Sequence, residues 1–593
     1  MNIEDIESAD LDGMTDDELI HLYHSVDGRA RQLSFAKFMI YNTVDNDLVE
    51  KIDDKKQFMQ LAIAIAMLTK SKLSDSTGTV KIWDNLIYHM ALADNLVIPP
   101  KKHVDMVDNA GGYVREVTPG LYRWPVVFDL TSLYPSIARL LNLSPETQIS
   151  EPLGGVELVD DVLSGRLRPE DYIAENPDAC FAINGAMFVK SEEGIVARAM
   201  SFVFYERKRY KDLMKKEKNA LERLKEGGIH SGPEYDFHEM ELGKWDAFQK
   251  AVKVVNNGGY GAIGNVGFRY FRPAISEAIT VTGQYIIRHT ADRLNWFLNK
   301  TLKTDGVDYV IGSDTDSIML TLDGFVKLID PKGTADKQKL VDAVNSFCEN
   351  KIEKFLEQEF EALAKRLNAR VQTLDMKREA ICDFMLYRAK KNYVMRVWDM
   401  EHVRYAEPQL KIAGIETRRA DKPKIVRKKM EELLTIFFDG TEEQLQAEVK
   451  KFKKEFLAMD VEQIAFPKGV SEVSKWTGPD GQVTLPPGTK AVPIHCRASV
   501  VYNRMLSKFP SVHGVYAPIK NKSKIKYVYL KVPNPALDYT IAWESELPKE
   551  FDLHRFIDWE TMFDKTFAGP MQSLAVLLDW NIVKTEKLDD LFE

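Results

Sequence analysis

Three aspartates stand where short apolar strands are predicted to end. Asp129 closes an apolar run, and Asp314 and Asp316 lie at the bend of Val307–Leu322, a stretch that alternates like a β-hairpin. Residues i and i+2 of a strand face the same side, so both aspartates of the pair can point at one spot. Carboxylate oxygens suit Mg²⁺, and two such ions can stabilise the attacking and leaving oxygens of a phosphoryl displacement.

Each of these patterns also has a plainer interpretation. An isolated Asp-x-Asp is more often a polar turn, and an aspartate at the end of a strand often caps the next helix. Three clustered carboxylates repel one another unless a cation joins them. A cluster of all three aspartates would therefore favour a metal site over a turn and a cap.

The composition bounds the class of protein. The chain has 593 residues, 45% of them hydrophobic and 28% charged, which fits a folded protein of about three to six domains. The net charge is −9, of which residues 1–100 contribute −8 and the other 493 residues only −1. The acidity is concentrated at one end, and the remainder can carry basic patches for nucleic acid.

Several classes are excluded at this stage. Four widely separated cysteines argue against a disulfide framework or a Cys-rich zinc site. The acidic N-terminus does not resemble a signal peptide, and the most apolar stretch, Leu61–Leu68, is too short to span a membrane. We expect a soluble, intracellular protein with no membrane partner.

The elements that must position the aspartates follow from the hydrophobic pattern. Residues 124–129 predict a strand, followed by a turn and a helix. Two long helices, 204–225 and 235–256, form a hairpin that meets the glycine-rich stretch 256–265. Residues 384–398 predict strands with lysines at their turn. The fold class is α+β with several domains.

Four motifs follow one another along the chain: DLTSLYPS (129–136), KVVNNGGYG (253–261), DTDS (314–317) and KKNY (390–393). Together they resemble the family B DNA polymerases. Stretches such as KIWDNLIYH and GFRYFRPAISEAIT are similar to the polymerases of large T-even-like tailed phages. The resemblance runs from about Phe38 to the C-terminus. It implies a right-hand polymerase with an antiparallel-sheet palm, helical-hairpin fingers and a mostly helical thumb.

The resemblance also implies a division of the chain into segments. These are an exonuclease remnant or docking segment (1–57), a helical segment like that of the N-terminal domain (58–104), two parts of the palm (105–193 and 266–414), the fingers (194–265), and a thumb with a clamp-binding tail (415–593).

The implied activity is template-directed addition of deoxynucleotides to a primer 3′-hydroxyl, with release of pyrophosphate, in phage DNA replication. Asp129 and Asp316 would be the main ligands of two Mg²⁺ ions with the Leu130 carbonyl, and Asp314 would complete the cluster. The deoxynucleoside triphosphate (dNTP) would be bound by the residues that match the family's nucleotide-binding motifs: Leu130, Thr131, Ser132, Leu133, Tyr134, Arg207, Lys211, Lys253, Asn257 and Tyr260.

The charge of the first long helix supports the nucleotide site independently. Residues 206–225 carry 9 basic and 4 acidic side chains, and most of these lysines are expected to form a solvated face. Arg207 and Lys211 lie four residues apart on one face and match the family's triphosphate-binding pair. Lys253 and Asn257 repeat that spacing on the second helix. Two such faces opposite each other would clamp a triphosphate.

Two tyrosines would contact the nucleotide within the resemblance. Tyr134 would lie under the sugar and exclude a 2′-hydroxyl, and Tyr260 would stack near the nascent base pair. Their plainer interpretation is that of core tyrosines in helices packed on a sheet.

Primer–template DNA would be bound by Gly261, Lys390, Lys391 and Tyr393. Residues 387–429 hold 13 basic and 5 acidic side chains, and such a zone suits duplex phosphates. An ordinary surface turn is the alternative for the lysines.

Two departures from the family pattern stand out. Gly312–Ser313 precede DTDS where the family usually has Tyr-Gly, and Asn257–Gly258 stand where it usually has Asn-Ser. Neither removes a metal or phosphate ligand. We expect them to affect the positioning of the primer end or fidelity.

The front of the chain lacks most of an exonuclease. FMIYNTVDNDLVEKID (38–53) resembles the last exonuclease motif, with Tyr41 and Asp45 in the matching positions, but the earlier carboxylates have no convincing match. One aspartate cannot hold two catalytic metals. We therefore predict no proofreading by this chain alone and a separate chain that supplies the N-terminal domain and the rest of the exonuclease, with residues 1–57 as its docking segment.

The acidic tail 586–593 places Leu588, Leu591 and Phe592 at a free C-terminus. The phage relatives use such a tail to bind a ring-shaped sliding clamp, and a frayed terminus is the alternative. The expected location is the cytoplasm of an infected bacterial host.

Two other functions remain open. A decayed polymerase could serve as a nucleic-acid-binding replisome subunit without full activity. A ribonucleotide polymerase or primase is the other, and Tyr134 opposes it.

Overall fold

The computed structural model describes residues 35–101, 110–512 and 515–583. The predicted clamp-binding residues Leu588, Leu591 and Phe592 lie outside this part of the chain, as does the N-terminal part of the predicted docking segment.

Helices provide most of the regular structure. In chain order they are α1 (Phe35–Lys56), α2 (Phe58–Thr69), α3 (Thr79–Ala93), α4 (Leu133–Leu140), α5 (Leu158–Ser164), α6 (Pro169–Glu175), α7 (Ile195–Glu226), α8 (Pro233–Ile263), α9 (Pro273–Leu302), α10 (Asp323–Ile329), α11 (Lys337–Phe347), α12 (Lys354–Arg366), α13 (Lys424–Leu433), α14 (Ile436–Asp439), α15 (Glu442–Leu457), α16 (Val461–Ile464), α17 (Ile494–Ser507), α18 (Trp559–Phe563) and α19 (Gly569–Ala575).

The strands form three antiparallel sheets. They are β1 (Gly120–Arg123), β2 (Pro125–Leu130), β3 (Ala179–Phe181), β4 (Met187–Val189), β5 (Val310–Asp314), β6 (Ser317–Thr321), β7 (Met376–Ala389), β8 (Asn392–Met400), β9 (Val403–Ala413), β10 (Phe466–Gly469), β11 (Lys524–Tyr529) and β12 (Thr540–Trp543).

The largest sheet has the order β5-β6-β2-β7-β8-β9, with β1 added beside β7. β2 lies inside it and is buried along its length except at Asp129, which is only partly covered. Asp129 pairs with Ser317 on one side and Lys377 on the other. The predicted strand at 124–129, the hairpin around DTDS and the strands of 384–398 are confirmed.

Two large hydrophobic cores flank this sheet. The first packs α2, α3, α4, α9 and the base of α7 and α8 against β2 and β6. The second fills the C-terminal region and takes Phe384, Leu386 and Val394 from β7 and β8. A third, smaller core that includes Val127, Met319 and Met385 covers the opposite face of the sheet. The sheet is therefore packed on both faces, which fixes the strand ends that carry the aspartates.

The hairpin of α7 and α8 confirms the predicted pair of long helices, but the predicted end of the second helix is wrong. α8 continues to Ile263 through the glycine-rich stretch. A Cβ on Gly259 would meet Met200 Cε at 2.6 Å and the Trp83 ring at 2.9 Å. The glycine permits close helix packing here and does not break the helix.

The C-terminal region, predicted to be mostly helical, also contains the three-stranded sheet β10-β11-β12. The four cysteines are all buried and free. No helix in the described ranges is both long and apolar enough to cross a membrane.

Candidate active site

Asp129 and Asp316 come together at one end of the large sheet. Asp129 is the penultimate residue of β2, and Asp316 lies in the turn between β5 and β6. The Leu130 N–H donates to the Asp316 carbonyl oxygen at 2.8 Å. This backbone bond ties the end of β2 to the hairpin turn, so the sheet itself holds the two carboxylates near each other.

The two carboxylates share a partly buried, negatively charged environment. Burial raises the pKa of Asp129 to about 7, with further contributions from Asp316 and Glu379. Burial also raises the pKa of Asp316, and Asp314 and Glu379 add to it. Their ionised forms lack enough internal positive charge, which is the condition under which an oxygen-ligated cation binds favourably.

Asp314 differs from the other two aspartates. Its carboxylate lies 3.2 Å from Lys391 Nζ, so an internal lysine already neutralises it. Asp316 lies in the turn beyond the strand, after Thr315 in the left-handed conformation (φ 59°). The same-face rule for strands therefore does not apply to the pair, and within the described ranges no three acidic, histidine or cysteine side chains are grouped to hold a metal.

Three charged residues of this site were missed from the sequence. Glu379 on β7 raises the pKa of both Asp129 and Asp316, and it pairs with Lys411 of β9 at 3.0 Å. Glu401, in the β8–β9 turn, donates its N–H to the Glu379 carbonyl at 2.7 Å. A carboxylate inside an otherwise buried strand was the available signal for Glu379.

The predicted basic pair lies on α7 near this acidic site. Burial lowers the pKa of Arg207, and the Arg207 Nε is buried without a hydrogen-bond partner in the described structure. Desolvation lowers the pKa of Lys211, and the charges of Arg207 and Lys253 lower it further. The structure therefore brings Arg207, Lys211 and Lys253 together as a cluster of uncompensated positive charge.

Glu401 relates the two clusters. Its charge raises the pKa of Asp129, and it opposes the lowering at both Arg207 and Lys211. Both clusters therefore lie within electrostatic range of the exposed Glu401, and the space around it is the candidate site. A site with groups of both signs suits a ligand that carries both cations and anions.

Tyr134 and Tyr260 lie against each other within this space. Their ring centroids are 4.5 Å apart and the rings are inclined by 47°. Burial, with Tyr260 and Asp316 nearby, raises the pKa of Tyr134 to about 12, so the phenol stays neutral. The rings belong to α4 and α8, and neither is fully buried.

The segment between β2 and α4 is held by backbone and side-chain bonds. The Thr131 N–H donates to the Asp375 carbonyl at 2.8 Å, and Ser132 adopts the left-handed conformation (φ 52°). Asn256 Nδ2 donates to Ser132 Oγ at 2.8 Å. Leu133 is buried at the start of α4. The fingers hairpin is therefore bonded directly to the residues that follow Asp129.

Other predicted residues lie around the rim. Asn257 is exposed one turn after Lys253, and Gly261 is exposed in the last turn of α8. Lys390 pairs with Glu116 at 2.5 Å, and the half-buried Tyr393 ring packs edge-on against Tyr387 at 5.6 Å.

Most of the basic zone at 387–429 is neutralised internally. Ion pairs engage Arg388, Lys390, Lys391, Arg396, Arg404, Lys411, Arg418, Arg419 and Lys429. In the described structure, Lys424, Arg427 and Lys428 at the start of α13 have no ion pair.

Packing accounts for both departures from the family pattern. A Cβ on Gly312 would lie 2.7 Å from Tyr387 Cε1, so the tyrosine ring from β7 occupies the space that a side chain would need. A Cβ on Gly258 would lie 2.9 Å from Thr79 Cγ2. Both glycines allow a neighbouring element to approach the backbone.

The predicted exonuclease residues lie apart from these clusters. Tyr41 and Asp45 are one turn apart on α1, and both are exposed. Nothing in the described part of the chain assembles a second acidic cluster around Asp45.

Sequence comparisons relate the chain to known proteins. The sequence profile of DNA polymerase family B matches residues 70–226 and 235–476. The chain is 30% identical to the DNA-directed DNA polymerase of Enterobacteria phage T4 and 29% identical to that of Escherichia phage RB69. Each match covers 95% of this chain and 66% of the relative, so the chain spans just under two thirds of their length.

A more distant similarity extends to a cellular protein. The chain is 23% identical to DNA polymerase II of Escherichia coli, over 84% of this chain and 53% of that protein. The family profile covers well over half of the chain, including β2, α7, most of α8 and the β5–β6 turn. The chain therefore belongs to DNA polymerase family B.

Proposed function

We propose that the chain is a template-directed DNA polymerase that adds deoxynucleotides to a primer 3′-hydroxyl in phage DNA replication. The observation that carries this proposal is that two charge clusters of opposite sign both lie within electrostatic range of Glu401. Asp129 and Asp316 lie on the sheet side, and Arg207, Lys211 and Lys253 lie on the helical side. A metal-bound nucleoside triphosphate has the complementary charges.

The carboxylates fit divalent cations by their chemistry. Asp129 and Asp316 are oxygen donors whose ionised forms are disfavoured by burial and mutual repulsion, so a cation relieves both costs. They would hold two Mg²⁺ ions with the Leu130 carbonyl, and Asp314 would act through its pairing with Lys391. Bound Mg²⁺ would supply charge stabilisation at the attacking and leaving oxygens.

The protein's own side chains orient the reactants. Arg207, Lys211 and Lys253 bind the triphosphate oxygens with charge-assisted hydrogen bonds. Tyr134 supports the sugar and excludes a 2′-hydroxyl by contact, and Tyr260 packs beside it. Orienting the triphosphate against the primer end lowers the entropic part of the barrier.

Primer extension tests this proposal. We expect purified protein with Mg²⁺, a primed template and dNTPs to extend the primer, and Asp316→Ala to abolish extension. Asp305→Ala removes an exposed aspartate from the loop before β5 and serves as the matched control. Extension that survives in Asp316→Ala, or that is absent in the wild type, would favour the non-catalytic replisome subunit.

The choice of sugar separates this proposal from a ribonucleotide polymerase or primase. We expect extension with dNTPs and not with ribonucleotides, and we expect Tyr134→Ala to admit ribonucleotides. Preferred use of ribonucleotides by the wild type would support the alternative.

We also propose that proofreading resides on a separate chain. Tyr41 and Asp45 are exposed, and no further carboxylate cluster lies beside them in the described structure. Of the 39 exposed large apolar side chains among the described residues, 14 lie between residues 39 and 97, which favours a protein partner at this end.

Recovery of partners from infected cells tests the separate chain. We expect a tagged protein to bring down an exonuclease-like chain, and 3′ degradation to appear only when that chain is added. Asp45→Ala should reduce the degradation and leave primer extension unchanged. Full 3′–5′ degradation by the isolated protein would contradict the two-chain arrangement.

Two further contacts complete the proposal. The C-terminal residues Leu588, Leu591 and Phe592 bind a sliding clamp, so deletion of the last eight residues should reduce processivity and spare single-nucleotide addition. Lys424, Arg427 and Lys428 join Gly261, Lys390, Lys391 and Tyr393 as candidates for duplex contact. Neutralising the three α13 residues should weaken DNA binding uniformly across sequences and reduce its salt dependence. The proposed location is the cytoplasm of the infected host.

A further inference from the structure

Gly283 lies where two helices meet beneath the nucleotide site. It is a buried residue in the middle of α9, and α4 crosses it there. A Cβ at this position would lie 3.3 Å from Tyr134 Cε1, 3.5 Å from Ile137 Cδ1 and 3.6 Å from Leu133 Cδ2. The last two distances are ordinary van der Waals contacts, so the tyrosine ring is the neighbour that a methyl group would press.

The three neighbours differ in their freedom to give way. Leu133 and Ile137 are 3% and 0% exposed and are enclosed by the first core. The Tyr134 ring is only partly buried, and it also packs against the Tyr260 ring. A methyl group at position 283 would therefore displace the tyrosine ring away from α9 more readily than the two enclosed side chains.

Glycine in the interior of α9 lowers the stability of the helix, so its presence there needs a reason. Glycine in a helix interior is less favourable than alanine by about 0.8–1.0 kcal/mol, and the φ of Gly283 does not require glycine. The contacts of a Cβ at this position indicate the reason: glycine leaves space for the Tyr134 ring.

We propose that Gly283 is a positioning residue for sugar selection: by leaving space beneath the Tyr134 ring, it sets how far the ring projects toward the nucleotide sugar. The proposal rests on the proposed function, because it assumes that Tyr134 contacts the sugar. Gly283 itself contacts no substrate and acts only through the ring.

Gly283→Ala tests the proposal, with Gly243→Ala as the matched control. Gly243 is also interior to a helix, α8, but a Cβ there meets nothing within 4 Å. Both changes give the same gain in helix propensity, and only Gly283→Ala presses Tyr134. The measured quantities are kcat and KM for a deoxynucleotide and for its ribonucleotide counterpart.

We expect Gly283→Ala to raise the KM for the deoxynucleotide about five-fold, a modest overpacking effect, with a smaller change in kcat. Selectivity for the deoxynucleotide over the ribonucleotide should increase because the ring is closer to the 2′ position. Gly243→Ala should change neither. Unchanged selectivity in Gly283→Ala would overturn the proposal.

The Tyr134→Ala variant, which lacks the ring, distinguishes the role of Gly283 from the role of Tyr134. In Tyr134→Ala, the added methyl group at position 283 should have no further effect on selectivity, because the pressed atoms are gone. A further effect there would overturn the proposal. If Tyr134→Ala itself leaves selectivity unchanged, the sugar-contact role of Tyr134 fails, which is a failure of the proposed function and is distinguishable from a failure at Gly283.

Stability provides a second readout of the same contact. Should Gly283→Ala fail to fold, the double variant with Tyr134→Ala should recover the wild-type circular dichroism spectrum. Recovery would identify the ring as the obstructed neighbour, and no recovery would assign the clash to Leu133 and Ile137 and overturn the proposal.

Discussion

The acidic end of the sheet and the basic face of the α7–α8 hairpin are both clusters of like charge, but they are built differently. Asp129 and Asp316 are positioned by strand pairing inside a sheet that has a hydrophobic core on each face. Arg207, Lys211 and Lys253 are carried by two long helices. The comparison teaches that backbone hydrogen bonds of the sheet position the acidic side chains, whereas the packing of two helices positions the basic ones.

The largest expected effect is a difference in the rate of primer extension between variants of Asp129 and Asp314. Asp129→Asn should lower the rate of primer extension by at least about a thousand-fold, because it removes one of two uncompensated carboxylates. Asp314→Asn should cost only about ten-fold, because Lys391 already neutralises Asp314. Single-turnover extension measures both. Equal losses in the two variants would show that all three aspartates act alike.

A smaller effect is expected on the helical side. Lys211→Ala should raise the KM for dNTPs about ten-fold, the loss of one charge-assisted contact, with a lesser effect on kcat. Lys216→Ala changes an exposed lysine on the opposite side of the same helix; it is the control and should leave KM unchanged. Equal effects of the two variants would show that the helix acts through its overall charge.

Thermal unfolding in the absence of metal measures how strongly the buried charges of each cluster destabilise the fold. The raised pKa of Asp129 means that its ionisation opposes folding, a cost that grows as pH rises from about 4 to about 7 and is full above that. In EDTA at pH 8, Asp129→Asn should raise the midpoint of unfolding by roughly 1–3 °C.

At pH 4 this difference should shrink, because this pH is close to the ordinary aspartate pKa of 3.8, so that ionisation favours the unfolded state only slightly. Lys211→Met should shift the midpoint less than Asp129→Asn, since the lysine is more exposed. A larger shift of the unfolding midpoint in Lys211→Met than in Asp129→Asn would show that the basic cluster is the more destabilising of the two. Differential scanning calorimetry provides the measurement.

The smallest expected effect is the pH dependence of nucleotide binding. The pKa of Lys211 is lowered, so its ammonium loses its proton at a lower pH than an ordinary lysine and its contribution to triphosphate binding is lost as pH rises. The KM for dNTPs should increase about two-fold between pH 8 and pH 9.5. Lys211→Arg should remove this increase, because arginine stays protonated.

The sequence was informative where the local pattern decides the structure. The apolar run before Asp129 can only pack inside a sheet, and the polar DTDS between alternating strands has the character of a turn. Both were predicted at nearly the observed positions. The fingers helices were equally clear, because their charge and length leave few alternatives.

The errors arose where distant segments meet. The glycines at 258–261 have the composition of a helix break, and only the packing of Met200, Trp83 and Thr79 explains why the helix continues. Neither the pairing of Asp314 with Lys391 nor the proximity of Glu379 and Glu401 to the aspartates can be read from the DTDS segment itself, because these residues lie far along the chain, on β7 and in the turns at the two ends of β8. The net positive charge of residues 387–429 did not predict a free basic surface, because several of the acidic residues that pair with this zone lie elsewhere in the chain.

The hydrogen bond between Asn256 and Ser132 also has a mechanical consequence. It fixes one point near the C-terminal end of α8, which extends from there about 35 Å to Pro233 at 1.5 Å per residue. If the hairpin rotates about this point, Lys253 moves very little because it lies less than one helical turn away. The far end of the hairpin moves several times as far. A spectroscopic label near the 227–232 turn would therefore report motion that the nucleotide-binding residues scarcely undergo.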